Sequence, residues 1–215
     1  PHRRPSYGHP ARCAPASAEV VKWGRVRLQE RTLRAHAGGS FRALLNAITA
    51  DPAMLWWLDG EVNRKGNINE NYGREFLELL TLGRARPVGD TTVASYAQKD
   101  VTEFARTFTG YTRNGFTSAF DAKRHDTGDK VLLGNKGAWL PSDAIDIALD
   151  RHPAGPVAAG YVAKRVAAFF HHPDPEPDVV AAMAKGLVAG GYELKPMLRV
   201  LFLHPKFMDG PLRTI

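Results

Sequence analysis

Apolar residues recur at helical spacing along most of the chain, and the periodic stretches are bracketed by start and stop signals. Residues 17–37 open on Ser17, a good N-cap, carry Val21, Leu28 and Leu33 among their apolar positions, and run into Gly38-Gly39. Ser40 then caps a second helix in which Phe41, Leu44, Leu45 and Ile48 keep the period, and Asp51-Pro52 starts a third. The turn of residues 54–58 is apolar all round, which predicts burial of Trp56 and Trp57; Trp23 and Trp139 are likewise expected as packing residues. Residues 59–68 are polar and carry glycine, as a surface loop does. Asn69 caps a helix that reaches Leu82 and stops at Gly83. A polar connection leads to Ser95, which with Gln98 forms a capping box for a helix whose Ala97, Val101, Phe104, Ala105 and Phe108 make one stripe.

After Gly110 the period changes. Residues 111–134 alternate short β-prone pieces with turn residues, which predicts a small β-ribbon, and Lys130 to Gly137 reads as a hairpin. Helices follow over 142–150, 156–170, 177–189 and 195–203, punctuated by Pro153, Pro173, Pro175 and Gly190-Gly191. The fold expected is mainly α, a multi-helix orthogonal bundle with a β-ribbon insertion around 111–134. The organisation expected is a mobile lead-in at 1–16, one helical domain over 17–209 and a tail at 210–215. The predicted core is Leu44, Leu45, Ile48, Leu55, Phe76, Leu77, Leu80, Phe104, Phe108, Val166, Phe169, Leu198 and Leu201.

Charge narrows the functional classes. The net charge is +7, yet residues 1–34 hold eight Lys/Arg against two acidic residues. The other 181 residues keep 21 basic and 20 acidic side chains, so the folded body is nearly neutral and lacks the footprint of a specific nucleic-acid binder. No apolar run approaches the length of a membrane span. One cysteine, Cys13, rules out an internal disulfide framework and a Cys-rich zinc site. The first residue is proline and no apolar signal core comes after it, so the chain reads as a fragment or a processed product without a signal peptide.

Three segments carry a family resemblance. The first joins Asp51-Pro52-Ala53-Met54-Leu55 to Asn63-Arg64-Lys65-Gly66 and to the string Asn69-Glu70-Asn71-Tyr72-Gly73-Arg74-Glu75-Phe76, ending at Gly83. The second joins Ala105-Arg106-Thr107-Phe108-Thr109-Gly110 to His125-Asp126-Thr127-Gly128-Asp129-Lys130. The third runs from Ala163 to Phe170 and closes on Leu201-Phe202-Leu203-His204-Pro205-Lys206-Phe207. In these the chain resembles the uncharacterised bacterial family known as domain of unknown function 1800. The resemblance implies an often exported protein, in the periplasm or cell envelope, encoded beside a second exported protein of another family. It also implies further helices upstream of this chain, and it implies no reaction.

The densest chemistry lies on the helix over 69–82, where Glu70, Asn71, Arg74, Glu75 and Glu78 gather opposite Tyr72, Phe76 and Leu77. One account is a solvated amphipathic face held by Glu70–Arg74 and Arg74–Glu78 pairs. The other brings Glu75 and Glu78 to His125 as catalytic candidates, with Asn69, Asn71, Arg74 and Asp126 binding. A divalent metal is an optional partner of that cluster; no metal ligand is assigned and no cofactor is expected. Glu78 lacks the histidine three residues on that di-iron bundles carry, and no His-Glu-x-x-His string occurs. Asp126 has the simpler role of an Asx turn with Gly128 at positive φ. His152 and His171-His172 read as helix stops. Because Asn is a mediocre helix former, so many polar groups predict that Arg74 and Glu75 are buried against the 59–69 loop or the His125 turn. No Gly-x-Ser-x-Gly elbow and no phosphate loop is present. The function expected is an exported bacterial helical module that binds another exported protein or associates with the envelope. The alternative is a hydrolase-type enzyme built on the carboxylate/histidine cluster.

Overall fold

The computed structural model describes residues 18–209, so the expectations for 1–16 and 210–215 lie outside the described residues. The chain is mainly helical. Helix α1 spans Ala18–His36, α2 Phe41–Thr49 and α3 Pro52–Trp57, followed by a 3-10 turn at Gly60–Val62. Ser40 accepts from the Ala43 amide, and Asp51 accepts from Ala53 and Met54, so both predicted caps close their helices. Helix α4, Asn71–Glu75, runs without a break into a π-helical turn, Phe76–Thr81. Strands β1 (Ala85–Val88) and β2 (Thr91–Ala94) precede α5 (Gln98–Thr107). Then come β3 (Tyr111–Asn114), β4 (Thr117–Phe120), β5 (Lys130–Leu132) and β6 (Asn135–Gly137). The last helices are α6 (Pro141–Asp150), α7 (Val157–Phe170), α8 (Pro177–Ala189), α9 (Leu194–Phe202) and α10 (Pro205–Asp209).

The strands form three separate antiparallel hairpins, β1–β2, β3–β4 and β5–β6, rather than one ribbon. Each turns on two residues: Gly89-Asp90, Gly115-Phe116 and Leu133-Gly134. The third is the tightest fit to a primed turn, with φ of 48° at Leu133 and 85° at Gly134. The β1–β2 hairpin falls in what the sequence presents as a polar connection.

The core centres on four rings from α4, its π continuation and the α5 stretch. Tyr72 and Phe76 each lie 4.9 Å from Phe108, and Phe76 lies 5.7 Å from Phe104. This proximity depends on Gly73. A Cβ there would sit 2.8 Å from the Ala105 nitrogen and 3.0 Å from the Val101 oxygen, so α4 rests on α5 backbone to backbone. The Tyr72 hydroxyl meets Thr49 Oγ1 at 2.7 Å, tying α2 to this cluster, and burial pushes the phenol far above its ordinary pKa. On the far side, small residues Ala158, Ala159, Ala163 and Ala167 let α7 pack tightly, with Met183 and Leu187 of α8 and Met197 and Leu201 of α9 in the same cluster.

The predicted core holds at Leu45, Ile48, Leu55, Phe76, Leu77, Phe104, Phe108 and Leu201, all buried. Leu44, Leu80, Val166 and Leu198 are partly buried. Phe169 is a correction: it is 71% exposed and stacks edge-on against Phe170. The buried face of α7 is its alanine face, which turns Phe169 outward. Trp23 on α1 is also exposed, and so are Trp56 and Trp57, because α3 is a single short helix whose inner side is taken by Ala53 and Leu55. The capping box differs too. Asp100 Oδ2, not Gln98, accepts the reciprocal bond from the Ala97 amide, while Ser95 Oγ donates to Leu82 O.

Candidate functional site

The π turn decides how the polar face of the 69–82 segment is distributed. Thr81 Oγ1 donates to Phe76 O five residues back, at 2.7 Å, and the Leu82 amide donates to Leu77 O. One extra residue in the turn rotates every later side chain about the helix axis. Thr81 and Leu82 swing into the core, and Leu79 turns out to 54% exposure. Glu75 and Glu78 both act on Arg84, while His125 lies against Thr109 and Phe120.

Glu78 pairs with Arg84 at 2.6 Å and lies beside Tyr96, whose phenol is raised first by burial and then by that carboxylate. Glu75 lines a groove with Met54, Trp57 and Leu79. Arg74 is half-buried, its side chain 41% exposed, and it pairs with Glu70 at 2.9 Å and with Gln98 at 3.2 Å. Its partners lie at the start of α5, one turn back along its own helix and across from it, so the predicted burial against the loop or the His125 turn does not occur. Glu70 is the hub of this group: Thr102 donates at 2.6 Å and Gln98 at 2.8 Å. The Thr102 hydroxyl is the foremost cause holding the Glu70 carboxyl below its ordinary pKa, with Gln98 and Arg74 adding to it.

The asparagines are structural connectors. Asn69 Oδ1 accepts from the Asn71 amide at 2.9 Å, the expected helix start. The Asn69 amide donates to Asn63 Oδ1 at 3.0 Å, and buried Asn63 donates to Ala105 O at 2.8 Å. One side chain thus pins the 59–69 loop to both helices, which is what polar density in this segment serves.

His125 is 3% exposed, its ring packs 5.3 Å from Phe120, and its Nδ1 stands 3.0 Å from the Thr109 carbonyl oxygen. Asp126 forms the predicted Asx turn, accepting from the Gly128 amide at 2.9 Å, although Gly128 itself keeps negative φ. Its other oxygen accepts from Arg106 Nε at 2.9 Å. Burial alone would raise the Asp126 carboxyl, but Arg106 and the Gly128 amide outweigh it and hold it below its ordinary range.

The side of α5 opposite its apolar stripe is the part that periodicity passed over. Asp100 Oδ1 accepts from the Leu133 amide at 3.1 Å, and Glu103 Oε2 accepts from the Val131 amide at 2.8 Å. Arg106 joins Glu103 to Asp126. Asp100 and Glu103 therefore seat the β5–β6 hairpin on α5, and Arg106, one turn on, braces Glu103 against Asp126. Lys130, at 0% exposure, donates Nζ to Trp139 O at 3.1 Å, and burial pulls its pKa down. The stripe 100/103/106 is visible in the sequence as a polar row at helical spacing, and Lys130 is visible only as the first residue of a hairpin strand. These groups satisfy one another, which suits rigidity rather than turnover. Among the described residues no group of three or more His, Cys, Asp or Glu is placed to hold a metal. No helix among them is long and apolar enough to cross a membrane.

The surface feature that stands apart is aromatic. Trp57 is 70% exposed and forms a wall of two adjoining grooves. The first, of about 290 Å³, lies against Arg25, Val26 and Gln29 of α1, with the Arg25 guanidinium 5.7 Å over the Trp56 ring. The second, of about 270 Å³, lies against Glu75, Leu79 and Leu80. A family described as "Protein of unknown function (DUF1800)" matches residues 12–215. Comparison with curated proteins and with solved structures finds no match to the chain.

Proposed function

Since the chain belongs to the DUF1800 family, whose description names no reaction, we propose its role from its surface: an exported bacterial helical module, an orthogonal bundle in its packing, that binds another exported protein at the tryptophan face. Trp57 carries this reading. Trp57 stands exposed between two adjoining apolar grooves, and large aromatic anchors dominate protein interfaces. Met54 and Leu79 flank it with apolar surface, and Arg25 and Glu75 add one charge of each sign at the edges. The exported location rests on the family resemblance.

The hydrolase alternative has less support. Glu78 is paired to Arg84, His125 is buried against Thr109 and Phe120, and Glu75 faces the tryptophan groove. No hydrogen bond among the described residues joins Glu75, Glu78 and His125 to one another, so the set offers no coupled acid–base pair.

Photo-crosslinking in intact bacterial cells tests the proposal. A photoreactive residue placed at Val26 or at Leu79, on either side of Trp57, is expected to give the same single adduct. Trp57→Ser removes that adduct, and the same probe at exposed Leu140, just before α6, gives none. Different adducts from the two flanking positions, or an adduct indifferent to Trp57→Ser, overturn it.

A further inference from the structure

Away from the tryptophan face, the β1–β2 hairpin and the first turns of α7 enclose a cleft of about 340 Å³. That volume suits a small organic ligand. Its walls are largely apolar, Leu82, Val157 and Val180 among them. Two cations, Arg86 and Lys164, line it, and no carboxylate does. The phenol of Tyr161 is already committed, donating to Leu79 O at 3.1 Å. The polar groups left to address a ligand are therefore the two cations.

Arg86 is the informative one. Its Nε is out of water and has no hydrogen-bond partner among the described residues. The outer N–H groups of the same guanidinium, which no described carboxylate or carbonyl holds, are the donors left for an anion in the cleft. Arg113 and Arg124 each have an unpartnered Nε too, but each bonds Glu61 through its outer nitrogens, and among the described residues Arg42 pairs with Asp146 and Asp150 and Arg106 with Glu103 and Asp126. Arg86 has no such ion pair, and it lies where the cleft is otherwise hydrocarbon.

A second feature points the same way. Gly160 lies inside α7 and on the lining of the cleft, and a Cβ built there meets nothing within 4 Å. Glycine is the poorest ordinary residue for a helix interior, so its presence where packing leaves room keeps the cleft open at the expense of the helix.

We infer that this cleft binds a small apolar monocarboxylate, with the carboxylate on the Arg86 fork and Lys164 and the hydrocarbon body against Leu82, Val157 and Val180. The planar guanidinium matches a carboxylate in two parallel hydrogen bonds. Free phosphate finds the cations but gains nothing from the apolar walls, and a neutral alcohol finds the walls but not the cations.

Titration of the full 215-residue chain with octanoate, followed by amide chemical shifts or calorimetry, tests the inference, with 1-octanol and inorganic phosphate as separate arms. Octanoate is expected to bind saturably and at least tenfold more tightly than either. Arg86→Ala weakens octanoate by tenfold or more, and Gly160→Leu, which projects into the cleft, abolishes saturable binding. Trp57→Ser leaves it unchanged, which separates this site from the partner face. Melting curves establish that each variant is folded, and Arg86→Gln replaces Arg86→Ala if the latter is not. The inference is overturned by octanoate that fails to saturate, by octanol or phosphate binding equally well, or by affinity indifferent to both Arg86 and Gly160 substitutions.

Discussion

Asp100 does two jobs at once, and removing it tests whether the α5 polar row holds the third hairpin. One carboxylate oxygen accepts from the Ala97 amide at the start of α5, and the other accepts from the Leu133 amide in the β5–β6 turn. Both Asp100 and Leu133 are 6% exposed, and Leu133 is held at φ 48°, a conformation that non-glycine residues adopt at a cost. In Asp100→Ala the helix loses its cap interaction, worth about 1 kcal/mol. The Leu133 amide is stranded away from water, a further cost of about 1–3 kcal/mol. The sum, about 2–4 kcal/mol, is a large share of a total stability of about 5–15 kcal/mol. At about 2–4 °C per kcal/mol for a chain of this size, the melting temperature should fall by roughly 4–16 °C. Asp100→Asn should lie between, since its single carbonyl oxygen serves one amide and turns an NH2 group toward the other. Thermal unfolding by circular dichroism reads the stability. Amide exchange reads the location, because the Leu133 N–H should exchange faster in the variant while the Tyr72/Phe76 region stays protected. Lys99→Ala, on the exposed neighbour, is the control. An Asp100→Ala protein that melts within about 0.5 kcal/mol of the unaltered chain would refute the reasoning.

Phe76→Ala, at a position with 0% exposure and rings of Phe104 and Phe108 against it, should cost about 3–5 kcal/mol in denaturant unfolding. Alanine at two glycines should act with opposite sign. Gly73→Ala forces a Cβ to 2.8 Å from the Ala105 nitrogen and destabilises by about 1–3 kcal/mol despite its helix preference. Gly160→Ala meets open space and stabilises by up to about 1 kcal/mol, as a pair of melting curves will register. Asp126 has a folded carboxyl pKa below its unfolded value, so its stabilisation is present in full above the unfolded value of about 3.9 and is lost as pH falls through the folded one. The stability gap between the unaltered chain and Asp126→Asn should therefore be constant near neutrality and shrink in acid; a gap independent of pH down to unfolding would contradict the Arg106 pairing.

Local backbone preferences were legible from the residues alone. Ser40 and Asp51-Pro52 start their helices, Pro177 and Gly190 bound α8, and the Lys130–Gly137 stretch folds as the hairpin its turn residues predict. These signals are complete within a few residues, because a cap, a proline ring or a positive-φ turn acts on its own neighbourhood. The helical class and most of the core came from apolar periodicity for the same reason. The β1–β2 hairpin escaped because its strands are almost wholly exposed and so carry no alternation of buried and open positions. Tertiary structure alone decided the side-chain partners. Glu78 took Arg84 as its partner, His125 took the Thr109 carbonyl, and Arg74 turned to Gln98 across the Gly73 contact. Phe169 went outward because the alanine face of α7 is the buried one, and Asp100 and Glu103 acquired a role only when a hairpin some thirty residues later came to rest on them. Partners distant in the chain are chosen by which backbones approach closely, and that is settled by the packing of whole helices rather than by any run of neighbouring residues.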